Sequence, residues 1–251
     1  MAVNIKSSRE IQIMRDSCKY CAEVFRKMEE FVKPGLSTME INEYGEKLIR
    51  ERGCEPNFLN YEGYPASICT SVNDVIVHGI PKRDMILKEG DIISLDAGLL
   101  YKGYNSDMAR TVGVGKVSKE AQELMDRTKE SFFVGIKKAV AGGHLFDISN
   151  AIADYIEQFG YGIVRELVGH GIGRGLHEEP QIPNYHVNKK GMRLYAGMTV
   201  CVEPMINLGT ADVLWDEEDG WTVRTKDHKI SAHYENTILI TEGEPEILTL
   251  Y

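Results

Sequence analysis

Apolar residues recur at helical spacing through Ile11, Met14, Cys18, Cys21, Phe25 and Met28, so the chain opens on a helix that buries one face. Ser7 with Glu10 three residues on is a capping-box start for it, and Pro34-Gly35 is its stop. A second box, Ser37 with Glu40, opens a helix striped by Ile41, Tyr44, Leu48 and Ile49 and ended by Gly53. From Ala66 to Val114 the period drops to two. Short β-branched runs are broken at Asn73-Asp74, at Gly79 with Pro81, at Glu89-Gly90 and at Lys102-Gly103, the pattern of strands and hairpins. Then the order repeats. Ser118 caps a helix with Ala121, Leu124, Met125, Thr128, Phe132 and Ile136 on one face, and Gly142-Gly143 ends it. Ile148, Ile152, Tyr155, Ile156 and Phe159 mark a fourth helix, and strands return after Gly160.

A shift of 108 overlays Val32 on Val140, Gly35 on Gly143, Asn42 on Asn150 and Leu48 on Ile156. Four matches are thin, but the shared order of helix, helix, strands is not. The expected fold is α+β: two pseudo-symmetric α/β halves, residues 7–115 and 116–251, whose strands join in one antiparallel sheet covered by helices, with a cleft between the halves. No Pro- or Ser-rich linker separates them, so a single domain is expected.

Composition narrows the class. With 43% hydrophobic and 27% charged residues, 251 residues suffice for a packed core, and disorder is excluded. A net charge of −9 argues against nucleic acid as the main partner. The run Asp216-Glu217-Glu218-Asp219 reads as a solvated loop. No apolar stretch approaches the roughly 20 residues of a membrane span, and Met1 begins no charged-then-apolar leader. Five scattered cysteines make no disulfide framework, so the expected location is the cytoplasm. Cys18-Lys-Tyr-Cys21 lies on the apolar stripe of the first helix and reads as core.

Against this background, certain carboxylates are out of place. Asp96 interrupts the apolar strand pattern Asp91–Gly98, and Asp107 follows across the Lys102-Gly103 turn. Pairing in that hairpin sets the two opposite or one pair apart, so that either one stays protonated or a cation sits between them. Glu203 repeats the anomaly in the expected strand Thr199–Met205, and Glu235 repeats it in His233–Ile240. Position 203 lies 107 beyond Asp96, which under the internal repeat sets the two carboxylates across the cleft from each other. The segment Gly169–Pro180 adds His170 and His177 among four glycines. Asp96, Asp107, Glu203, Glu235 and His170 form an oxygen-rich set with one nitrogen, and four carboxylates balance two divalent ions. Such ligands suit Mn, Fe, Co or Zn, with paired ions typical of hydrolases that share one water between them.

Those residues carry a resemblance. Ser71–Pro81, the Asp96 and Asp107 hairpin, Gly169–Pro180, Val202-Glu-Pro-Met205 and Ser231–Thr237 occur in the order and spacing of the type I methionine aminopeptidases of the bacterial kind, and the chain resembles that family over essentially its whole length. The resemblance implies the pita-bread fold and removal of the N-terminal Met from nascent proteins with a small second residue, by attack of a metal-bridged hydroxide. It implies that Asp96 and Asp107 bind metals with Asp107 bridging, that His170 and Glu203 complete one ion, and that Glu235 bridges. Glu203 would also take the proton of the water, His177 would steady the developing oxyanion, and His78 would face the scissile amide nitrogen. Cys69, Tyr61, Tyr64, Phe58 and Trp221 would form the Met pocket. Asn73, Val75 and Ser231 resemble positions that hold a monovalent cation. Nascent polypeptide N-termini are the implied partners, with the ribosome beside them, and a monomer is the default.

Departures from the family pattern fall outside the five ligands. Leu176 replaces an aromatic, Glu62 and Ala66 replace a His and a Lys of the pocket loop, and His233 and Asn236 replace a Gln and a His around Glu235. The competing readings are another pita-bread peptidase, such as a Xaa-Pro dipeptidase or aminopeptidase, which usually carries an extra N-terminal domain, and a non-catalytic binding module, which would lack ligands.

Overall fold

In the computed structural model, which describes residues 3–250, both capping boxes close. The Ser7 hydroxyl accepts from the Glu10 N–H at 3.4 Å while the Glu10 carboxylate accepts from the Ser7 N–H at 2.8 Å. Ser37 and Glu40 repeat this at 3.2 and 2.8 Å. The helices Ser8–Phe31 and Thr38–Glu51 therefore start where the boxes place them. Their buried faces, among them Phe25, Met28, Ile41, Leu48 and Ile49, pack with Ile93, Leu95 and Leu99 of the long strand Ile92–Tyr101. Cys21 is a free thiol within this apolar packing, and Cys18 a free thiol in a neighbouring cluster with Met14, Phe58 and Tyr64.

The second half rebuilds the pattern. Ser118 caps Lys119–Ile136 through the Ala121 N–H at 3.1 Å, and Leu145–Ile156 follows. The third helix ends six residues before the Gly142-Gly143 stop expected for it. The fourth begins at Leu145, ahead of its apolar stripe, with the Asp147 carboxylate accepting from the His144 N–H at 3.1 Å. Phe132, Ile148, Ile152, Val200, Val202 and Ile238 form a separate core.

The strands join in an eleven-stranded sheet whose main path runs Glu55–Pro56, Ile92–Tyr101, Tyr104–Gly113, Ser231–Leu239, Thr199–Val202, Gly169–Gly171 and Glu178–Ile182. Every pairing is antiparallel. Tyr104–Gly113 and Ser231–Leu239 pair at its centre, where the halves meet.

Two expectations are corrected. The predicted strand Thr199–Met205 is broken into Thr199–Val202 and Met205–Asn207, because Pro204 has no N–H to continue the ladder. Its carbonyl instead accepts from the Tyr234 N–H at 3.2 Å. Glu203 thus sits at a break and not within a strand. Nor do all strands join one sheet. Val213–Trp215 and Val223–Thr225 form a hairpin that pairs with Val75–Val77 of the first half in a separate three-stranded sheet. This hairpin is an insertion in the repeat: the shift is 107 from Asp96 to Glu203 but 128 from Asp107 to Glu235. Asp216 and Asp219 shape its turn, and Asp219 accepts from the Trp221 and Thr222 N–H groups at 2.9 and 2.8 Å.

Candidate metal centre

The Lys102-Gly103 turn has φ of +49° and +79°, the left-handed pair of a two-residue hairpin, and it sets the register of everything behind it. In that register Asp96 lies opposite Ala109 and Asp107 opposite Gly98. The two carboxylates are therefore diagonal neighbours on one face, two positions out of direct pairing. On its other edge Ala109 faces Glu235, so that Asp96, Ala109 and Glu235 form a row across three strands. A second row is built the same way, with Thr237 opposite Cys201 and Cys201 opposite His170. Strand alternation puts both rows on one face, and Glu203, two residues past Cys201, joins them at the break. Ala109 puts only a methyl group between Asp96 and Glu235 in the first row, while the space beside Gly98 is taken by the Asn57 side chain and the Ser106 carbonyl.

Asp96, Asp107 and Glu235 are buried, and Asp96 Oδ1, Asp107 Oδ1 and Glu235 Oε1 have no hydrogen-bond partner among the described residues. Burial pushes the Asp96 carboxyl up to about 6. Burial, followed by the charges of Glu235, Asp96 and Glu203, drives Asp107 well above the ordinary carboxylate range, and Glu203 and Glu235 are raised in the same way. Arg110 is the buried cation nearby, but its guanidinium donates to the backbone oxygens of Ala109 and Glu235 and, at 2.7 Å, to Asn236 Oδ1. The carboxylate oxygens themselves face one another, an arrangement that calls for protons or metal cations.

His170 is set up as a neutral nitrogen donor. Its Nδ1 lies 2.9 Å from the Gly171 carbonyl, which fixes the N–H on that side and leaves the Nε2 lone pair 3.6 Å from Glu203 Oε1 and 3.9 Å from Asp107 Oδ2. Burial lowers it to about 3, so it carries no proton at neutral pH. Atoms of Asp107, His170, Cys201 and Glu235 all lie within 4.8 Å of one another. The four acids, the imidazole and the orphaned oxygens fit a pair of divalent ions.

The acids close one end of a cavity of about 730 Å³ whose walls include Phe58, Tyr61, Tyr64, Cys69, His78, His177 and Trp221. Cys69 lies directly opposite Asp96, so apolar pocket and acidic row share a strand pair. The Tyr64 hydroxyl donates to the Gly79 carbonyl at 3.0 Å, and Trp221 stands edge-on to Tyr64 at 5.2 Å and to His78 at 6.0 Å. His78, at φ +58°, is held neutral by burial, which lowers it to about 4. His177 meets the Tyr61 hydroxyl through Nδ1 at 3.0 Å, and its ring lies 4.3 Å from that of His170. Glu62 and Leu176 also line the cavity. Away from it, Asn73 and Ser231 meet through a 2.9 Å bond from the Ser231 N–H to the Asn73 carbonyl, and Val75 starts the strand that follows Asn73.

Sequence reasoning missed the residues that hold the acids in place. Thr237 Oγ1 bonds both the Asp107 N–H and its carbonyl, at 3.1 and 2.8 Å. The signal for it was the alternation that sets Thr237 on the same face as Glu235. Arg110, buried beside the acids, braces the strand that carries Glu235 through the Glu235 carbonyl and Asn236 Oδ1.

The sequence pattern of metallopeptidase family M24 matches residues 12–242. The methionine aminopeptidase of Clostridium acetobutylicum is 47% identical over 246 residues, covering 98% of each chain. The crystal structure of the methionine aminopeptidase from Rickettsia prowazekii superposes with a TM-score of 0.97 at 39% identity, covering 99% of this chain and 100% of that one. The prolidase from Pyrococcus furiosus shares the fold at a TM-score of 0.81 and 25% identity, but the match covers only 65% of its length.

Proposed function

The chain belongs to metallopeptidase family M24, and from that premise we propose that it is a methionine aminopeptidase that removes the N-terminal Met from nascent polypeptides with a small second residue. The observation that carries the reading is the junction of three buried carboxylates, the half-buried Glu203 and one neutral imidazole with an aromatic, sulfur-containing cavity.

Asp96, Asp107, His170, Glu203 and Glu235 would hold two divalent ions drawn from Mn, Fe, Co and Zn. When bound, such ions lower the pKa of a water and polarise a peptide carbonyl. The protein's own groups do the rest. Glu203, at the strand break, has a carboxylate positioned to take the proton of the attacking water and return it to the leaving amine. His177, its Nδ1 engaged by Tyr61, has Nε2 free to donate to the oxyanion that develops at the scissile carbonyl. His78 faces the scissile amide nitrogen. Phe58, Tyr61, Tyr64, Cys69 and Trp221 offer a thioether aromatic edges and sulfur, each contact contributing about 0.3–1.5 kcal/mol. The acidic end draws the free α-amino group of a substrate, which favours an exopeptidase. Asn73, Val75 and Ser231 would hold a monovalent cation. The protein would work in the cytoplasm as a monomer, on chains emerging from the ribosome.

Release of free Met from Met-Gly and Met-Ala peptides, beside Leu- and Xaa-Pro-containing controls, tests the reading on metal-stripped protein refilled with Mn, Co, Fe or Zn. Metal-dependent release of Met, lost in Asp107→Asn and Glu203→Gln, is expected. Release confined to Xaa-Pro peptides would transfer the chain to the other branch of the family.

A further inference from the structure

One buried polar side chain at the acidic cluster has no role in the scheme above. His233 is two residues before Glu235 in Ser231–Leu239, so alternation directs both side chains to the same face. Its backbone is fully engaged: the N–H donates to Thr111 Oγ1 at 2.8 Å, and the carbonyl accepts from that same hydroxyl at 2.9 Å. Its ring is not. The residue is 1% exposed, and neither Nδ1 nor Nε2 has a hydrogen-bond partner among the described residues. A buried imidazole with both nitrogens unpaired is a rare and unfavourable arrangement unless something absent from the protein chain completes it.

The direction of the ring says what that is. Nε2 points at Glu203, 3.6 Å from Oε2. The other oxygen of the same carboxylate, Oε1, is 3.6 Å from His170 Nε2. Glu203 is thus flanked by two imidazoles, one at each oxygen, at separations too long for hydrogen bonds and suited to donors that converge on ions between them. Donor atoms of Glu203, His233 and Glu235 lie within 4.8 Å of one another, a second three-residue group that overlaps the Asp107, His170, Cys201 and Glu235 group at Glu235.

We propose that His233 is an additional metal ligand, supplying a second imidazole to the centre through Nε2 at the ion it shares with Glu203 and Glu235. The proposal rests on the reading of the cluster as a two-metal site and changes its composition from one nitrogen donor to two. More nitrogen in the donor set shifts preference away from Mg and Mn and toward Co, Ni and Zn, which bind imidazole more strongly.

The test counts coordinated imidazoles without reference to turnover. X-ray absorption of the Zn-loaded protein and the exchangeable, paramagnetically shifted imidazole N–H signals of the Co(II)-loaded protein are compared for wild type, His233→Gln and His170→Gln, with thermal unfolding to verify that each variant is folded. The wild type is expected to show two coordinated imidazoles for two ions and each single variant one, with Co(II) binding to His233→Gln weakened tenfold or more by calorimetry. A wild type with one coordinated imidazole, lost in His170→Gln and retained in His233→Gln with unchanged affinity, would overturn the inference and leave the two-metal reading intact. Failure of wild type and both variants alike to bind divalent ions would overturn both.

Discussion

Replacing Asp107 with Asn should have opposite effects on stability with and without metal. In the metal-free protein at pH 8 the Asp107 carboxylate lies among Glu235, Asp96 and Glu203, with oxygens of Asp107 and Glu235 within 4.8 Å. At an effective dielectric of about 20, one such pair of unit charges repels by about 3–4 kcal/mol. The cluster relieves part of this by binding protons, so a net gain of about 2–3 kcal/mol is expected when Asn removes the charge, since the Thr237 bonds to the Asp107 backbone survive the change. For a chain of this length that is a rise in Tm of roughly 5–10 °C in chelator. With metal at a hundredfold over its Kd, each filled site stabilises the wild type by about 2.7 kcal/mol, and a variant lacking the Asp107 carboxylate is expected to forfeit most of that. Calorimetric unfolding in EDTA and in excess Mn measures both arms. An Asn variant that is no more stable than wild type in EDTA, or one that metal stabilises as strongly as wild type, would refute the view that these acids are assembled for cations.

The same acids give the metal-free protein a characteristic pH profile. Asp107, Glu203 and Glu235 have folded-state values raised well above their unfolded ones, so the folded form holds protons that the unfolded form releases, and stability must fall as pH rises from about 7.5 to 8.5, beyond the range around and below 6.5 where the depressed His78, His170, His177 and His233 act in the opposite sense. Metal binding requires the deprotonated ligands, so saturating metal should abolish or reverse the slope; urea midpoints at the two pH values decide it. Trp221→Ala, which removes the ring standing over Tyr64 and His78, should raise KM for Met-Ala peptides roughly two- to tenfold with a smaller change in kcat, as steady-state kinetics would show. Gly45→Ala would drive a Cβ to 2.6 Å from Met28 Sδ and 2.8 Å from Ile68 Cδ1 where the second helix crosses the first, and should cost about 1–3 kcal/mol in denaturant unfolding without altering metal binding.

Local rules carried far in this chain, and they stopped where placement depends on distant strands. Cap residues and apolar stripes located the starts of three of the four helices, because each involves groups three or four positions apart. The acids were conspicuous because a carboxylate in an apolar strand has to be explained. Pro204 announced the strand break, yet the apolar residues around it concealed the signal. The Val213–Thr225 hairpin escaped because its partner, Val75–Val77, lies in the other half, and no local period encodes that pairing. Thr237 and His233 were equally silent: one is an ordinary strand residue until its hydroxyl is seen on the Asp107 backbone, and the other stood out only as a substitution near Glu235.

The internal repeat supplies carboxylates symmetrically but nitrogen asymmetrically. Asp96 and Glu203 correspond, as do Asp107 and Glu235 once the inserted hairpin is allowed for. His170 pairs with Cys201, and the counterpart pairing in the first half is Ser71 with Ser94, so a serine occupies the first-half position equivalent to the imidazole. The Ser71 hydroxyl is committed to the Gly79 N–H at 3.2 Å and leaves the acidic row to its carboxylates. His233 likewise belongs to the second half. The first half instead contributes Phe58, Tyr61, Tyr64 and Cys69, the apolar end of the cavity. The two similar frames have therefore diverged at this position, one carrying an imidazole and the other a serine. The shared carboxylate pairs keep the cluster at the seam, where Tyr104–Gly113 of one half pairs with Ser231–Leu239 of the other.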